Sequence, residues 1–555
     1  MTAQPADETT ARPARGGALA PLANPTFRNI WLASLLANFG SLIQGVGAAW
    51  EMTRLTNAPD MVAMVQTAMM APLMFLTVPA GAIADLFDRR KVALLGLAFA
   101  AIASTALAGF AAAGMITPWM LLLFCALIGT GGALYMPAWQ ASISDQVEPH
   151  DLPAAIALGS VSYNVARSFG PALGGAIVVA AGATAAFGVS AVSGLPLILA
   201  FLFWRRPRAV SSLPNERLDR AIVSGFRFVI HSAPARTAAI RAFAATFTGA
   251  SLAALMPLVA KDVLHGDAGM YGLLLGGFGI GAVMGAFSLS RLRARFDGET
   301  LSRICALIGG AAIIIAAFST HLALTLLVMM IAGVTWVVIL AMLNVSVQLS
   351  SPRWVTARAL AWFQASLTGG VAVGAWVWGH AAALSSLPIA LAASGVAMMA
   401  TPLLGLAMPI SNTNPLDSNI VEISHEPEVN LPITQRSGPI VVEIDYRVTP
   451  DRAREFTTLM INVENARQRN GAFDWSLARD IANPTLWTER YQFPTWGDYL
   501  RQRARSTEAD YRFYSAAAAF RAGDETSIRR KLERPAGALE RFDERRDEIV
   551  PPQTP

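Results

Sequence analysis

Residues 81–91 read GAIADLFDRRK and follow some twenty residues that are almost wholly apolar. A chain suited to hydrocarbon stops there on two acids, two arginines and a lysine. Such a cluster marks where a helix leaves a bilayer, or it forms a gate on which the protein's work depends. Of 555 residues, 54% are hydrophobic and only 15% charged, whereas soluble domains carry about a quarter charged residues. Apolar runs of about 18 or more residues, enough to cross a bilayer as helix, recur along the chain. The net charge of +5 is carried by arginines in the connections. That pattern orients a membrane protein and gives no reason to expect nucleic acid.

Twelve spans are predicted, near 29–53, 60–85, 92–113, 117–143, 152–181, 184–204, 237–260, 268–290, 301–319, 322–348, 355–379 and 386–410. One set of connections holds Arg89, Arg90 and Lys91, then Arg205 to Arg227, then Arg291 to Arg303, then Arg353 and Arg358. The alternate set holds little beyond Arg54, Lys261 and three histidines. Positive residues stay on the cytoplasmic side, so both termini are expected there. The expected organisation is an all-α membrane protein of two six-helix bundles, 25–204 and 237–410, after a polar tail, 1–24, that does not read as a signal peptide. Cys125 and Cys305 fall inside apolar runs and read as buried thiols.

The middle connection, 205–236, places Leu218, Ile222, Phe226 and Ile230 four residues apart, an amphipathic helix for the membrane surface. An internal repeat also suggests itself. Gly81, Arg89 and Lys91 are matched by Gly285, Arg293 and Arg295, each 204 positions later, and Pro149 by Pro352 at 203. Parallel six-span halves are one way transporters are built.

After a polar linker, 411–438, the composition becomes that of a soluble domain, 439–535, followed by a tail, 536–555. Residues 440–448 (IVVEIDYRV) alternate as a half-buried strand. Thr449 and Pro450 open a helix, strands follow at 475–480 and 487–493, Thr495 caps a further helix, and SIRRKL (527–532) reads as a closing strand. The order suggests a ferredoxin-like α+β fold.

Gly81 suits a close helix crossing, and Asp85 lies one turn on, where it can pair with an arginine or cap a neighbouring helix. An acid–arginine latch that holds in one state and breaks in the other is the element a two-state machine needs. The stretch resembles the loop-two signature of the major facilitator superfamily, G-x-x-x-D-R-x-G-R-R. Gly81, Asp85, Arg89 and Arg90 match, while Leu86 and Asp88 depart. Those departures resemble the transmembrane secretion effector branch, which includes the enterobactin exporter. In span five, Gly170, Pro171, Gly174 and Gly175 form G-P-x-x-G-G, similar to the superfamily's antiporter motif, which implies efflux. Proline there removes a backbone donor and is expected to bend the helix.

Arg167 sits in the apolar part of span five, where a charge costs roughly 2.5–3.5 kcal/mol and is a functional candidate by default. Glu51, at the end of span one, is either an interface residue or a titratable group for proton coupling. Gln44, Gln66, Trp139, Gln140, Asn164, Asn344 and Gln364 are polar or amphipathic groups that line a central cavity or bond helix to helix. No G-x-x-x-x-G-K-[ST] occurs, so ATP-driven export is disfavoured and a proton gradient is the expected energy source. The resemblance implies alternating-access transport of a small organic molecule (drug, siderophore or other metabolite) across the bacterial inner membrane, without cofactor or metal. Import is the alternative direction.

The C-terminal domain resembles the antibiotic-biosynthesis monooxygenases. Trp475, Trp487, Tyr491 and Trp496 give it an aromatic core, and the only histidine of this part, His425, falls in the linker. A dimerising or ligand-sensing module is therefore expected over an enzyme tethered by the helices.

Overall fold

The structure, a computed structural model, describes residues 17–204, 218–352, 354–410, 421, 429–521 and 528–533; of these, the side chains of 85, 86 and 218–221 are not described. Helices begin where short polar residues or prolines interrupt the apolar runs. Asn24 opens α1 (Pro25–Leu55), its side chain accepting from the backbone N–H of Thr26 and Phe27. Proline starts α2 (Pro59–Leu86). Asp88 caps α3 (Arg89–Ala112) and Thr117 caps α4 (Pro118–Ser142). Then follow α5 (Leu152–Ser193), α6 (Leu195–Phe203), α7 (Leu218–His231) and α8 (Ala233–Leu258). Asp267 caps α9 (Ala268–Arg295) and Asp297 caps α10 (Gly298–Phe318). The helical part closes with α11 (Leu322–Ser350), α12 (Thr356–Leu384), α13 (Leu387–Ala400) and α14 (Leu404–Ala407).

Eleven of the described helical segments are long and apolar enough to cross a membrane. One of them, Leu152–Phe203, has 52 residues, about 78 Å of helix against a hydrocarbon thickness of about 30 Å. It turns back at Gly182, whose φ of 78° and ψ of 170° are not helical. Its contacts with α1 trace the reversal. Trp31 Nε1 donates to Leu158 O at 2.8 Å and Asn38 Nδ2 to Ser162 Oγ at 3.3 Å. Gly170 lies on Leu42, and Gly174 on Ile43 and Val46. Past the turn, Ala186 and Phe187 lie on Gly47, and Ser190 and Ser193 lie back on Gly40. The segment climbs α1 and descends it again, so the described helices form twelve limbs.

Their limits fall within a few residues of those expected. The repeat needs correction. Pro59 and Ala268, which start α2 and α9, are 209 positions apart, as are the caps Asp88 and Asp297. Arg293 and Arg295 therefore close α9, whereas Arg89 opens α3. The pairing at 204 matched like residues in unlike places, and that offset holds only later, as between Leu152 and Thr356. Helical geometry also continues through Pro171, with Gly182 the single non-helical position in α5.

The arginine-rich ends of both halves are locked internally. Asn24 Nδ2 donates to Gln146 O at 2.8 Å. Arg89 donates to Ala141 O at 2.8 Å and pairs with Asp145 at 3.3 Å. In the second half, buried Arg241 pairs with Glu299, which also accepts from Arg303 at 2.9 Å and from Ile410 N at 3.0 Å. The start of α1 and the chain leaving α14 thus lie at one end, with the arginines.

Beyond residue 438 the chain forms β1 (Ile440–Arg447), α15 (Ala453–Arg469), β2 (Phe473–Arg479), β3 (Leu486–Phe493), α16 (Trp496–Arg505), α17 (Glu508–Ala518) and β4 (Ile528–Leu532). The four strands pair antiparallel in the order β2-β3-β1-β4. Ile440, Val442, Ile444 and Tyr446 point with Tyr491 and Phe493 into a core closed by Phe456, Met460 and Val463 of α15.

Removing one partner of a buried ion pair costs about 3–5 kcal/mol, because the other charge is left unpaired. Glu299 keeps Arg303, so Arg241→Met is expected to cost roughly 3 kcal/mol, measured as a lowered unfolding midpoint in detergent. Arg291→Met, at an exposed position, should leave the midpoint unchanged.

Candidate functional site: the interface between the two halves

The halves meet along two seams. In the first, α2 runs against α12. Asp60 and Ala63 lie on Gly379, Thr67 Oγ1 donates to Ala372 O at 2.9 Å, and Met74 lies on Gly369. In the second, α5 runs against α9 almost backbone to backbone. A Cβ on Gly175 would lie 2.5 Å from Ala268 O, and one on Gly272 would lie 2.5 Å from Pro171 O. Ser168 Oγ donates to Gly279 O at 3.2 Å. Lys261, in the π turn after α8, adds a bond to Thr53 O at the tip of α1. All of these lie away from the arginine-rich end. Beyond Met74 and Arg167 toward that end, no hydrogen bond joins the halves among the described residues. These glycine contacts and hydrogen bonds between the halves therefore lie toward the end away from the arginines, while at the arginine-rich end α7 packs on α2 and α12.

The expected site residues divide on this frame. Gly170 and Gly174 face α1, whereas Pro171 and Gly175 face α9. The G-P-x-x-G-G stretch therefore packs α5 on both sides at once. Gly81, expected at a tight crossing, has open space where a Cβ would stand. Asp88 serves as the α3 cap. Arg89 and Arg90 are held within their own half, the latter by Leu202 O, so neither latches across. The side chain of Asp85 lies outside the described residues. Glu51 pairs with Arg54 at 3.0 Å near the end opposite the arginine-rich one.

The expected polar lining is mostly spent elsewhere. Gln44 is buried within the first half and accepts from Ser104 at 3.2 Å and Ser190 at 2.6 Å. It is a helix–helix bond and not a cavity group. Trp139 lies on Gly159 in the same half. Asn164 donates to Ser160 O of its own helix, and Asn344 accepts from Gln348 of its own helix. Gln140 and Gln364 are exposed and Gln66 is half-buried. Arg167 is half-buried where the α5–α9 seam ends, its guanidinium carbon 5.4 Å from the centre of the Phe278 ring. Sequence reading missed Phe278 and the glycines of α9, although the spacing of Gly272, Gly276 and Gly279 was available as a sign of close packing.

Over residues 16–536 the chain matches the family model described as "Transmembrane secretion effector". The chain belongs to that family, of the major facilitator type. It is 22% identical over 265 residues to the staphyloferrin A transporter of Staphylococcus aureus, a match covering 47% of this chain and 66%, just under two thirds, of that protein. It is 25% identical over 340 residues to the multidrug efflux pump Tap of Mycolicibacterium fortuitum, covering 59% of this chain and 82% of the pump. Among solved structures it resembles an inward-facing, unoccupied bacterial homologue of the human lysosomal transporter Spinster, with TM-score 0.53 and 18% identity over 69% of this chain and 96% of that one. A POT family transporter in complex with a thioalcohol-conjugated peptide gives TM-score 0.55 at 13% identity, over 69% and 95%. These likenesses show the fold.

In this member of the secretion effector family, α7 lies between the helical part and the C-terminal domain. Phe228 is buried against Trp354, Phe226 packs on Trp362, and Arg358 donates to Ser224 at 2.6 Å. Of the expected membrane-facing stripe, Phe226 and Ile230 stay exposed, Ile222 is half-buried, and the side chain of Leu218 lies outside the described residues. From the other side, Arg227 donates to Gly471 O at 2.9 Å and His231 faces Asn465 of α15. Arg505 stacks on Trp354 at 4.2 Å.

Overpacking a close contact costs about 1–3 kcal/mol. Gly175→Leu is therefore expected to disfavour the closed seam and to cut turnover roughly tenfold or more, with normal membrane abundance. Gly132→Leu, with nothing within 4 Å of its Cβ, should be tolerated. A second outcome concerns pH. Burial first, then Arg227, Arg236 and Arg469, hold the His231 imidazole below its ordinary value, against the Asn465 bond that raises it. A lowered value means that docking favours neutral His231. The contribution is complete above the ordinary value of ~6.5 and is lost as pH falls below it. Protease sensitivity of the 411–438 linker should rise at about pH 5.5 and much less so in His231→Gln.

Proposed function

We propose that this protein is a secondary active transporter that exports a small organic molecule across the bacterial inner membrane in exchange for protons, by rocking of its two halves. The observation that carries the reading is the one-ended contact between the halves. Two six-limb bundles whose shared glycine contacts and hydrogen bonds lie toward one end fit one of the two states that alternating access requires. The arginines mark the other end as cytoplasmic by the positive-inside tendency, so this state opens inward and both chain ends of the helical part lie inside.

Efflux is favoured over import by the G-P-x-x-G-G stretch and by the likeness to a multidrug efflux pump. A siderophore or drug-like molecule is the substrate range that the two curated relatives suggest. Arg89 and Arg90 are held within the first half in this state, which fits a latch in which they and Asp85, of the same half, meet groups of the second half only when the inner ends approach. Glu51 is the candidate for proton coupling, because the pair it makes with Arg54 stands at the end that opens in the opposite state.

The C-terminal domain reads as ferredoxin-like, since its strand order is that of a split βαβ arrangement. Its interior carboxylate, Glu489, is fully buried and committed to Tyr446, Trp475 and Arg467, a structural use that disfavours catalysis. Its uncovered sheet face carries Glu443 with Lys531 and Asp445 with Arg529, a surface suited to a second copy by charge. We read it as a sensing or dimerising module that acts through α7.

Everted vesicles test direction: a proton gradient should drive accumulation of an exported dye. Accumulation only in right-side-out vesicles would reverse the assignment. Asp85→Asn should slow turnover at least about tenfold with insertion intact, and wild-type turnover would remove the latch. Truncation after residue 410 should leave measurable flux, and complete loss with normal assembly would shift the activity to the tail.

A further inference from the structure

We infer that the transported molecule carries an anionic group, a carboxylate or its chemical equivalent, and that Arg167 receives it beside an aromatic wall of Phe278 and Trp336. The inference rests on the transporter reading and names the substrate class that the reading leaves open.

Arg167 stands fifteen residues before the Gly182 turn, about 22 Å of helix. Its neighbour Ser168 is bonded to Gly279 O at 3.2 Å, and a Cβ on Gly279 would lie 2.7 Å from Arg167 O. The backbone is thus pinned to the opposite half and has no slack with which to withdraw. Other cations set into the helical part have acceptors: Arg241 has Glu299, Arg89 has Asp145, Arg54 has Glu51, and Lys261 has Thr53 O. Among the described residues Arg167 has the Phe278 ring and no carboxylate within ion-pair distance. A ring contact offsets only part of the cost of setting a cation into a membrane helix. An anion beside the guanidinium would supply the counter-charge that the ring does not.

The surroundings suit a ligand with an apolar body. Phe278 of α9 meets Trp336 of α11 edge to face at 6.3 Å, and Trp336 rests on Gly249 of α8. One turn from Arg167, Tyr163 is 44% exposed on the same helix face. Asn164 donates one of its two amide N–H groups to Ser160 O of its own helix. Residues from both halves meet at this point, so a ligand held here contacts both moving bodies, as coupling of binding to rocking requires. A cationic ligand would meet like charge.

The test uses purified full-length protein in detergent and matched probes: pyrenebutyrate, its amide and pyrenebutylamine, with naphthoate and biphenylcarboxylate sets beside them. Thermal unfolding and probe fluorescence report binding. Saturable, carboxylate-selective stabilisation is expected. It should weaken at least tenfold in Arg167→Gln and less in Arg167→Lys. Phe278→Leu keeps the charge and should weaken aromatic carboxylates in particular, which guards against a folding defect in the first variant. Equal binding of amides or amines, unchanged carboxylate binding in Arg167→Gln, or no carboxylate selectivity in any set overturns the inference. Proton-driven flux of a neutral or cationic probe, unaltered by Arg167→Gln, would overturn the anion site and leave the transporter standing. Selective carboxylate binding without flux of any probe would do the reverse.

Discussion

The backbone-to-backbone approach of α5 and α9 is the constraint on which the molecule turns. Lipid offers helices no hydrophobic reason to associate, so contact must come from van der Waals fit and hydrogen bonds. Fit at that distance requires missing side chains. Gly175 meets Ala268 and Gly272, and Gly279 meets Arg167 and Ser168. The same helix gives Gly170 and Gly174 to α1, so α5 is held to its own half while it touches the other. A seam built of small residues forms or parts without repacking bulky groups, which is what a hinge between rigid bundles needs.

Charge is distributed to keep each bundle rigid. In the first half Arg89 and Arg90 tie the start of α3 to the ends of α4 and α6. In the second, Glu299 gathers Arg241, Arg303 and the backbone of Ile410. These locks stand at equivalent ends but use unrelated residues, and they bond within a half. Motion is therefore left to the seams, where glycine contacts dominate and hydrogen bonds are sparse.

Much of the architecture was readable from the chain because the bilayer imposes a length and a polarity on each limb. Prolines at 25, 59 and 118, with caps at Asn24, Asp88, Asp267 and Asp297, then set the limits. The succession of strands and helices in the C-terminal domain followed from alternation and turn chemistry in the same way. Helix rotation was not readable. In a span apolar all round, nothing in the pattern says which face meets lipid, neighbour or cavity. For Gln44 the pattern left cavity and helix–helix bond equally open, and it is buried among Ser104 and Ser190, while Gly81 was placed at a crossing and has open space at its Cβ. Arg167 escaped this ambiguity because a charge at that depth has few places to go.

Helix α7 adds a connection that span counting does not suggest. The chain between the halves must accommodate their relative movement, and here its helical part is not left loose. Phe228 packs on Trp354 just before α12, and Arg227 bonds Gly471 O just after α15. Arg505 grips the same Trp354 from the C-terminal domain. Since α12 also forms one of the two seams, a shift of α12 against α2 moves the surface on which the domain rests. By reciprocity, whatever stabilises the docked domain biases the position of α12. On the proposed rocking of the halves, a domain bound to both the tether and a seam helix is coupled to that motion through α7 and α12.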